Sequence, residues 1–184
     1  MNNKKILKYK KIHITGASGS GTTTLGIELS KKYNIQHFDS DNFFWLPTTP
    51  IYEKIREVNE RKAMLSDKVL SSDSFVLSGS NCGWGDDLIP HYDLVIFLSL
   101  PTDIRIKRLT EREISRFGKD HLHTQKYKTF IEWTKKYDDG DITIRSRAMH
   151  ENWFNKLNCP VLRIDGNYSI EERIEIIENY ENSK

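Results

Sequence analysis

The sequence has little cysteine, no long apolar run and no excess of charge of one sign. Only two cysteines occur among 184 residues, Cys82 and Cys159. Because neither has a second cysteine nearby, a disulfide framework or a zinc knuckle is not indicated, and we expect two reduced, partly buried thiols. The 28 lysines and arginines nearly balance 26 aspartates and glutamates. This balance does not favour a general nucleic-acid binder.

Apolar runs stay far below the roughly 20 residues that a membrane-spanning helix needs. The longest, residues 94–100, has the length of a strand and is interrupted by Ser99. The lysine-rich start, residues 1–11, has no apolar stretch behind it that could serve as a secretory signal. We therefore predict a cytoplasmic protein that makes no membrane contact.

Strand-sized apolar runs alternate with helical patterns along the chain. Strands are predicted at 12–14, 35–38, 75–77, 94–98 and 161–164, and helices at 22–33, 52–70, 102–113 and 169–180. Such alternation is typical of a parallel sheet with right-handed crossovers. Residues 115–157 interrupt this order, and two further helices near 124–137 and 145–157 would account for them. We predict one α/β domain over 1–184, with an insertion between the fourth and fifth strands.

A glycine-rich turn joins the first strand to the first helix. Glycines let the backbone curl so that successive N–H groups and a helix start converge on an anion. Gly16 and Gly21 match the phosphate-loop pattern G-x-x-x-x-G-K-S/T, and Thr23 takes the position of the magnesium-binding hydroxyl. The predicted phosphate loop comprises Gly16, Ala17, Ser18, Gly19, Ser20, Gly21, Thr22, Thr23 and Thr24. The alternative is an ordinary strand-to-helix turn.

The phosphate loop lacks the lysine of the pattern, because Thr22 stands in its place. A unit charge about 4 Å from a phosphate oxygen contributes roughly 4 kcal/mol at an effective dielectric constant near 20, before desolvation is subtracted. That charge must come from elsewhere in the chain, or catalysis suffers. Binding itself still has the backbone N–H groups and the helix dipole to support it.

Two carboxylates, Asp39 and Asp41, follow the second predicted strand. Phosphoryl transfer needs magnesium held against the phosphates and an acceptor oxygen aimed in line, and two carboxylates at a strand's carboxyl edge are suited to divide these tasks. The alternative is a local role as a helix N-cap or an Asx-turn.

With these motifs the chain resembles, over nearly its full length, the small P-loop kinases grouped with adenylate kinase and shikimate kinase. It looks most like the bacterial adenylate-kinase-related proteins of unassigned substrate. The resemblance implies a three-layer fold with a five-stranded parallel sheet, an acceptor-binding segment at about 40–72 and a helical lid at about 115–147. Shikimate kinases carry a similar Asp-x-Asp. By that match Asp39 would help to hold the magnesium of Thr23 through water, and Asp41 would orient or deprotonate the acceptor hydroxyl.

The same resemblance assigns roles to arginines. In adenylate kinases an arginine that matches Arg108 lies against the adenine, and one that matches Arg112 meets the phosphates. The run KYDD at 136–139, followed after five residues by Arg145 and Arg147, is similar to the adenylate-kinase lid pattern. Guanidinium groups suit phosphate because they fork around its oxygens and stay charged.

We expect the positive charge missing at Thr22 to come from the lid side. Four arginines are candidates: Arg112, Arg116, Arg145 and Arg147. The rival explanation is a set of solvated salt bridges with Glu111, Asp138 and Asp139. On the acceptor side, Arg56 and Arg61 could bind an anionic acceptor, although charges on an amphipathic helix are usually just solvated.

The sequence thus predicts a kinase that uses ATP and Mg²⁺ to phosphorylate a hydroxyl or phosphate group of a small molecule. The second hypothesis is a nucleotide-binding module with little turnover, in which the lysine is absent because turnover is no longer required. A GTPase is disfavoured, because no N-K-x-D motif occurs. The expected partners are a nucleoside triphosphate and an unidentified acceptor; the oligomeric state stays open.

Overall fold

The computed structural model, which describes residues 7–183, contains a five-stranded sheet in which all strands are parallel. The strands are β1 (Lys11–Gly16), β2 (Gln36–Asp39), β3 (Phe75–Ser78), β4 (Leu94–Ser99) and β5 (Val161–Asp165). They pair in the order β2-β3-β1-β4-β5. The predicted α/β class and strand number are confirmed. Six of the eleven residues in the lysine-rich start lie outside the described residues.

Helices connect the strands and cover both faces of the sheet. The α-helices are α1 (Thr22–Tyr33), α2 (Asp41–Phe44), α3 (Val58–Leu70), α4 (Thr102–Phe117), α5 (Gln125–Lys135), α6 (Arg147–Phe154) and α7 (Ile170–Asn182). Short 3-10 helices span Asp86–His91 and Lys119–His123. The predicted pair of helices in the insertion is confirmed as α5 and α6. No helix in the described part of the chain is long and apolar enough to cross a membrane.

Strand β1 lies in the middle of the sheet and separates two hydrophobic cores. Ile12 and Ile14 face the core beneath α1 and α7, while His13 points to the other face and stacks on Tyr92 with ring centroids 5.1 Å apart. This alternation follows from the two-residue period of a strand. Because helices cover both faces, β1 and β4 are buried along almost their whole length.

The helix predicted over 52–70 is wrong in its first six residues. Residues 44–56 instead close into a loop, in which the amide of Leu46 donates to the carbonyl of Lys54 at 2.8 Å and that of Arg56 to Phe44 at 2.9 Å. These bonds occupy the backbone groups that a helix would need. Helix α3 begins only at Val58, where the Glu57 carboxylate accepts hydrogen bonds from the first free amides.

Two histidines are buried in the sheet region, and burial holds both in the neutral form. His150 lies within hydrogen-bond distance of the hydroxyls of Thr15, Ser80 and Tyr137, at 2.7–3.2 Å. Burial is the main cause that lowers the pKa of His150 to about 3 and that of His13 to about 4. The carboxyl ends of β1 and β3, with the loops that form the site, are therefore supported by groups that stay uncharged near neutral pH.

The lowered pKa of His150 makes the stability of the protein depend on pH. Since the folded pKa lies below the unfolded value of about 6.5, the unfolded chain binds the proton more readily, and stability is lost as pH falls from about 6.5 towards 4. We expect His150→Gln to reduce this slope by about 1.4 kcal/mol per pH unit. Urea unfolding between pH 4.5 and 7 measures it. The exposed His91→Gln serves as control, and parallel curves for His150→Gln and wild type would contradict the assignment.

Candidate active site

The phosphate loop curls tightly between β1 and α1. Gly19 and Gly21 have φ of 84° and 95°, in the left-handed region that favours glycine. Gly21 is the N-cap of α1, no side chain caps the helix, and its first turn holds no acidic residue. The first amides of α1 are therefore left for an anion. The predicted strand, loop and helix order is confirmed.

Thr23 and Asp39 lie side by side at the carboxyl edge of the sheet. The Thr23 hydroxyl donates to Oδ2 of Asp39 at 2.9 Å. Because the hydroxyl donates its proton to Asp39, its lone pairs are left for a hard cation such as Mg²⁺, and the Asp39 carboxylate could accept from a water bound to that ion. The pair therefore fits the sequence-predicted metal site. No cluster of three His, Cys, Asp or Glu in residues 7–183 forms a complete cage, so phosphate oxygens and water would complete the coordination.

Asp39 and Asp41 form a coupled pair of carboxylates. Oδ1 of Asp39 accepts a hydrogen bond from the amide of Asp41 at 3.0 Å. This is the Asx-turn that the sequence offered as the alternative, but it uses only one oxygen of Asp39. Burial, and after it the charge of Asp39, raises the pKa of Asp41, while Arg145 and Arg112 act in the opposite direction. Asp41 is thus a carboxylate with increased basicity that faces into a cavity.

Two cavities meet at the carboxylates. The arginine cavity, about 510 Å³, is lined by Arg108, Arg112, Arg116, Tyr168 and Arg173 beside the phosphate loop. The aromatic cavity, about 530 Å³, is lined by Trp45, Tyr52, Phe117, Tyr127, Phe130 and Trp133. Thr23, Asp39, Asp41 and Arg112 belong to both. Two ligands could therefore bind with their reacting ends side by side at these residues.

The aromatic cavity lies between the loop at 44–56 and helix α5. Lys126 on α5 forms an ion pair with Glu53 on the loop, which joins the two walls. Trp133 stacks on Phe130 with ring centroids 6.3 Å apart and an interplanar angle of 24°. Trp133 is also 38% exposed. Guanidinium groups lie over both rings, Arg145 over Trp133 and Arg112 over Phe130, so the pair places aromatic surface and positive charge together on the cavity wall.

The structure brings most of the predicted arginines to the site. Nη2 of Arg145 donates to the carbonyl of Gly16 at 3.1 Å, its guanidinium lies over the Trp133 ring, and it lines the aromatic cavity. Nη2 of Arg112 contacts Glu113 at 3.3 Å. Arg147 is placed elsewhere: it bonds Ser99 and Asp138 and is not among the residues that line either cavity.

Arg56 and Arg61, the candidates for an anionic acceptor, do not line the cavities either. Arg56 is buried, bonds the carbonyl of Phe43 and pairs with Glu60. The guanidinium of Arg61 lies 4.4 Å from the centroid of the Phe44 ring. Both arginines thus stabilise the 44–56 loop. They neither line a binding cavity nor stand as merely solvated charges on a helix.

Several residues of the site carry no signal in the sequence. Tyr52, Lys126 and Arg173 line the cavities, yet each lies in a segment whose pattern indicates only a surface helix. The pattern predicts Tyr52 at the start of a helix over 52–70, and its place in a closed loop beside Arg116 follows from contacts with residues distant along the chain. For Arg173 the sequence gives one weak sign of a special role. The residue lies in the first turn of α7, where the helix dipole disfavours a cation.

Known proteins share the sequence pattern and the fold. A family model described as an AAA domain matches residues 12–122. The uncharacterized protein YqaC of Bacillus subtilis is 44% identical over 175 residues, covering 93% of this chain and 97% of its own. A cytidylate kinase of Methanococcus vannielii is 31% identical, covering 55% and 65%. The structure of shikimate kinase from Acinetobacter baumannii in complex with shikimate has a TM-score of 0.58 at 16% identity, covering 94% and 95%.

Gly19 is a loop position at which the structure leaves no room for a side chain. An added Cβ would lie 2.8 Å from the backbone oxygen of Arg105, in addition to the strain of its positive φ. We expect Gly19→Ala to destabilise the protein by about 1–3 kcal/mol and to remove nucleotide binding. Gly83→Ala is the matched control, because Gly83 also has positive φ but open space around it. Equal effects of the two on unfolding and on nucleotide titration would refute the steric argument.

Proposed function

Because this chain belongs to the AAA domain family and to the P-loop small-molecule kinases of unassigned substrate, we propose that it transfers the γ-phosphoryl group of ATP to a hydroxyl of a small molecule that contains a flat ring. The observation that carries the proposal is the junction of two cavities at Thr23, Asp39 and Asp41, directly beside the uncapped start of α1. The nucleotide occupies the arginine cavity, and the acceptor occupies the aromatic cavity.

Mg²⁺ fits the oxygen pair of Thr23 and Asp39. When bound, the ion neutralises part of the charge that develops on the phosphate oxygens. The phosphate loop supplies the remaining contacts to the polyphosphate through its backbone amides. Arg108 and Tyr168 lie in the part of the arginine cavity remote from the aromatic rings. These residues therefore hold the nucleoside end of ATP.

Asp41 acts on the acceptor. As the acceptor oxygen bonds to the γ-phosphorus, the bond from that phosphorus to the bridging oxygen breaks and ADP leaves, while the hydroxyl proton passes to Asp41. Asp41 lines the cavity beside the Thr23–Asp39 pair, where its carboxylate can accept this proton. Arg112 and Arg145 line the same cavity, and their guanidinium groups stabilise the transferred phosphoryl group. Arg116, over the ring of Tyr52, adds charge at the same edge.

The charges of the aromatic cavity favour a neutral hydroxyl acceptor over a phosphate acceptor. Lys126 is paired with Glu53, and Arg112 with Glu113. Only Arg145, of the basic side chains that line this cavity, makes no ion pair within residues 7–183. One unpaired cation can balance the transferred γ-phosphoryl group. It leaves no further unpaired cation among the described lining residues to bind a phosphate group on the acceptor. The aromatic side chains on the wall of this cavity supply apolar contact surface for a ring.

The two walls of the aromatic cavity also limit access of water. The loop at 44–56, part of the 40–72 acceptor-binding segment, meets α5 of the 115–147 lid through Glu53 and Lys126. Exclusion of water matters, because water would otherwise accept the phosphoryl group. Arg147 holds the end of the lid through Asp138 and Ser99. Its contribution is therefore to position the lid.

The first test measures ADP release with ATP and Mg²⁺ across nucleosides, nucleoside monophosphates and shikimate. We expect a nucleoside or similar ring alcohol to raise turnover, and Asp41→Asn to lower kcat by about 10²–10⁴-fold, because the proton acceptor is lost. ATP affinity should stay unchanged. The exposed Asp67→Asn is the control. If no acceptor raises turnover above that of Asp41→Asn while ATP still binds, the nucleotide-binding module is the correct function.

A second test separates the two cavities. We expect Trp133→Ala to raise the KM for the acceptor about tenfold, because one aromatic contact with a ring is worth about 1–3 kcal/mol. The same change should alter the KM for ATP less than about twofold. Tyr168→Ala, on the wall of the arginine cavity, should show the reverse pattern. Steady-state kinetics of both variants measures the two KM values. A rise in the KM for ATP with Trp133→Ala would contradict the assignment of the cavities.

A further inference from the structure

A nearly buried guanidinium at the wall of the arginine cavity borders the phosphate loop without an anion to balance it. Arg173, in the first turn of α7, is 1% exposed, and its Nη1 donates to the carbonyl oxygen of Ser20 at 2.9 Å. Its Nε and Nη2 have no hydrogen-bond partner within the described residues. Burial of a charge without a partner is costly. Such a residue is therefore either a source of instability or part of an incomplete anion site.

The surroundings of Arg173 are positive rather than neutralising. A Cβ on Gly21 would lie 2.9 Å from Nη1 of Arg173 and 3.8 Å from Nη1 of Arg108. Neither arginine forms an ion pair with a carboxylate in the part of the chain that the structure describes. Burial, and after it the charge of Arg108, lowers the pKa of Arg173. Since a guanidinium stays protonated in proteins, two positive groups flank the start of α1.

A single peptide group connects Arg173 to the phosphate side of the loop. The carbonyl of Ser20, which accepts the bond from Arg173, and the N–H of Gly21 belong to the same peptide. A hydrogen bond to the carbonyl polarises the group and makes its N–H a stronger donor. That N–H precedes the uncapped first turn of α1. Arg173 can thus strengthen the loop's hold on an anion while its own side chain stays buried.

We propose that Arg173 is a positioning residue that supplies, from the wall of the arginine cavity, the positive charge that Thr22 does not provide. It acts on the bound polyphosphate through the Ser20–Gly21 peptide and through its field at the start of α1. It does not contact the transferred phosphoryl group, which Arg112 and Arg145 stabilise. The inference rests on the proposed nucleotide site, and it differs from the expectation that the lid arginines replace the lysine.

The test compares the dissociation constants of ATP, ADP, AMP and adenosine with Mg²⁺ present. For Arg173→Met the loss of affinity should grow with the number of phosphates, from less than about threefold for adenosine to about 10–100-fold for ATP. Arg173→Lys should recover part of the loss, because it keeps the charge. A structural role alone would weaken all four ligands equally, and that result overturns the proposal.

Thr22→Lys provides a second, independent measurement. In the wild-type background the added lysine should improve ATP affinity by less than about threefold, because a charge is already present; in Arg173→Met it should improve it by about tenfold or more. Equal gains in the two backgrounds overturn the proposal. If Arg173→Met does not fold, Thr22→Lys alone decides: a gain of about tenfold in the wild type shows that the loop lacked a cation.

The wild-type protein separates this inference from the proposed function. If it binds no ATP at all, both the proposed function and the inferred role of Arg173 are wrong. If it binds ATP and the Arg173 variants bind the four ligands as wild type does, only the inferred role of Arg173 is wrong. Arg163→Met is the control for loss of an arginine, because Arg163 is paired with Glu151 at the surface of β5. This control should leave every affinity unchanged.

Discussion

The uncapped start of α1 is the feature on which the whole site depends. Its free amides, and those of the loop before it, need an anion, and neither a side-chain cap nor an acidic first turn satisfies them. Arg108 and Arg173 increase the positive potential at this point instead of reducing it. Thr23 and Asp39 then hold two hard oxygens beside it. A polyphosphate with its metal ion is the ligand that balances all of these groups.

Conventional phosphate loops place a lysine on the ligand side, and this chain distributes that charge differently. A nearly buried arginine at the wall of the arginine cavity polarises the Ser20–Gly21 peptide, and further arginines line the cavities from α4 and from the segment before α6. The arrangement costs stability when the site is empty, because a guanidinium without a counterion is buried. It leaves Thr22 small at the point where the two cavities meet. Donor and acceptor can therefore approach each other directly.

The acceptor side shows how the fold family accommodates different chemistry on one scaffold. The parallel-sheet fold is shared with a shikimate kinase whose sequence identity to this chain is only 16%. The walls of the aromatic cavity come instead from a closed loop and from α5, which are joined by one ion pair. Surface segments of this kind can change their side chains without any change in the core. In the proposed function, selectivity for the acceptor would therefore depend on surface segments rather than on the core.

The sequence alone determined the sheet, the phosphate loop and the two carboxylates, because each is encoded locally. Strand periodicity, glycine spacing and the position after a strand need no information about distant residues. The 52–57 segment, the burial of Arg56 and the place of Arg147 were decided by tertiary structure. Backbone hydrogen bonds from Leu46 to Lys54 and from Arg56 to Phe44 close residues 44–56 into a loop. These bonds outweigh the helical pattern of the 52–57 segment. Arg173 is the clearest case: in the sequence it is one cation on an amphipathic helix, and only the packing of α7 against the phosphate loop brings its charge to Ser20, 153 residues away in the chain.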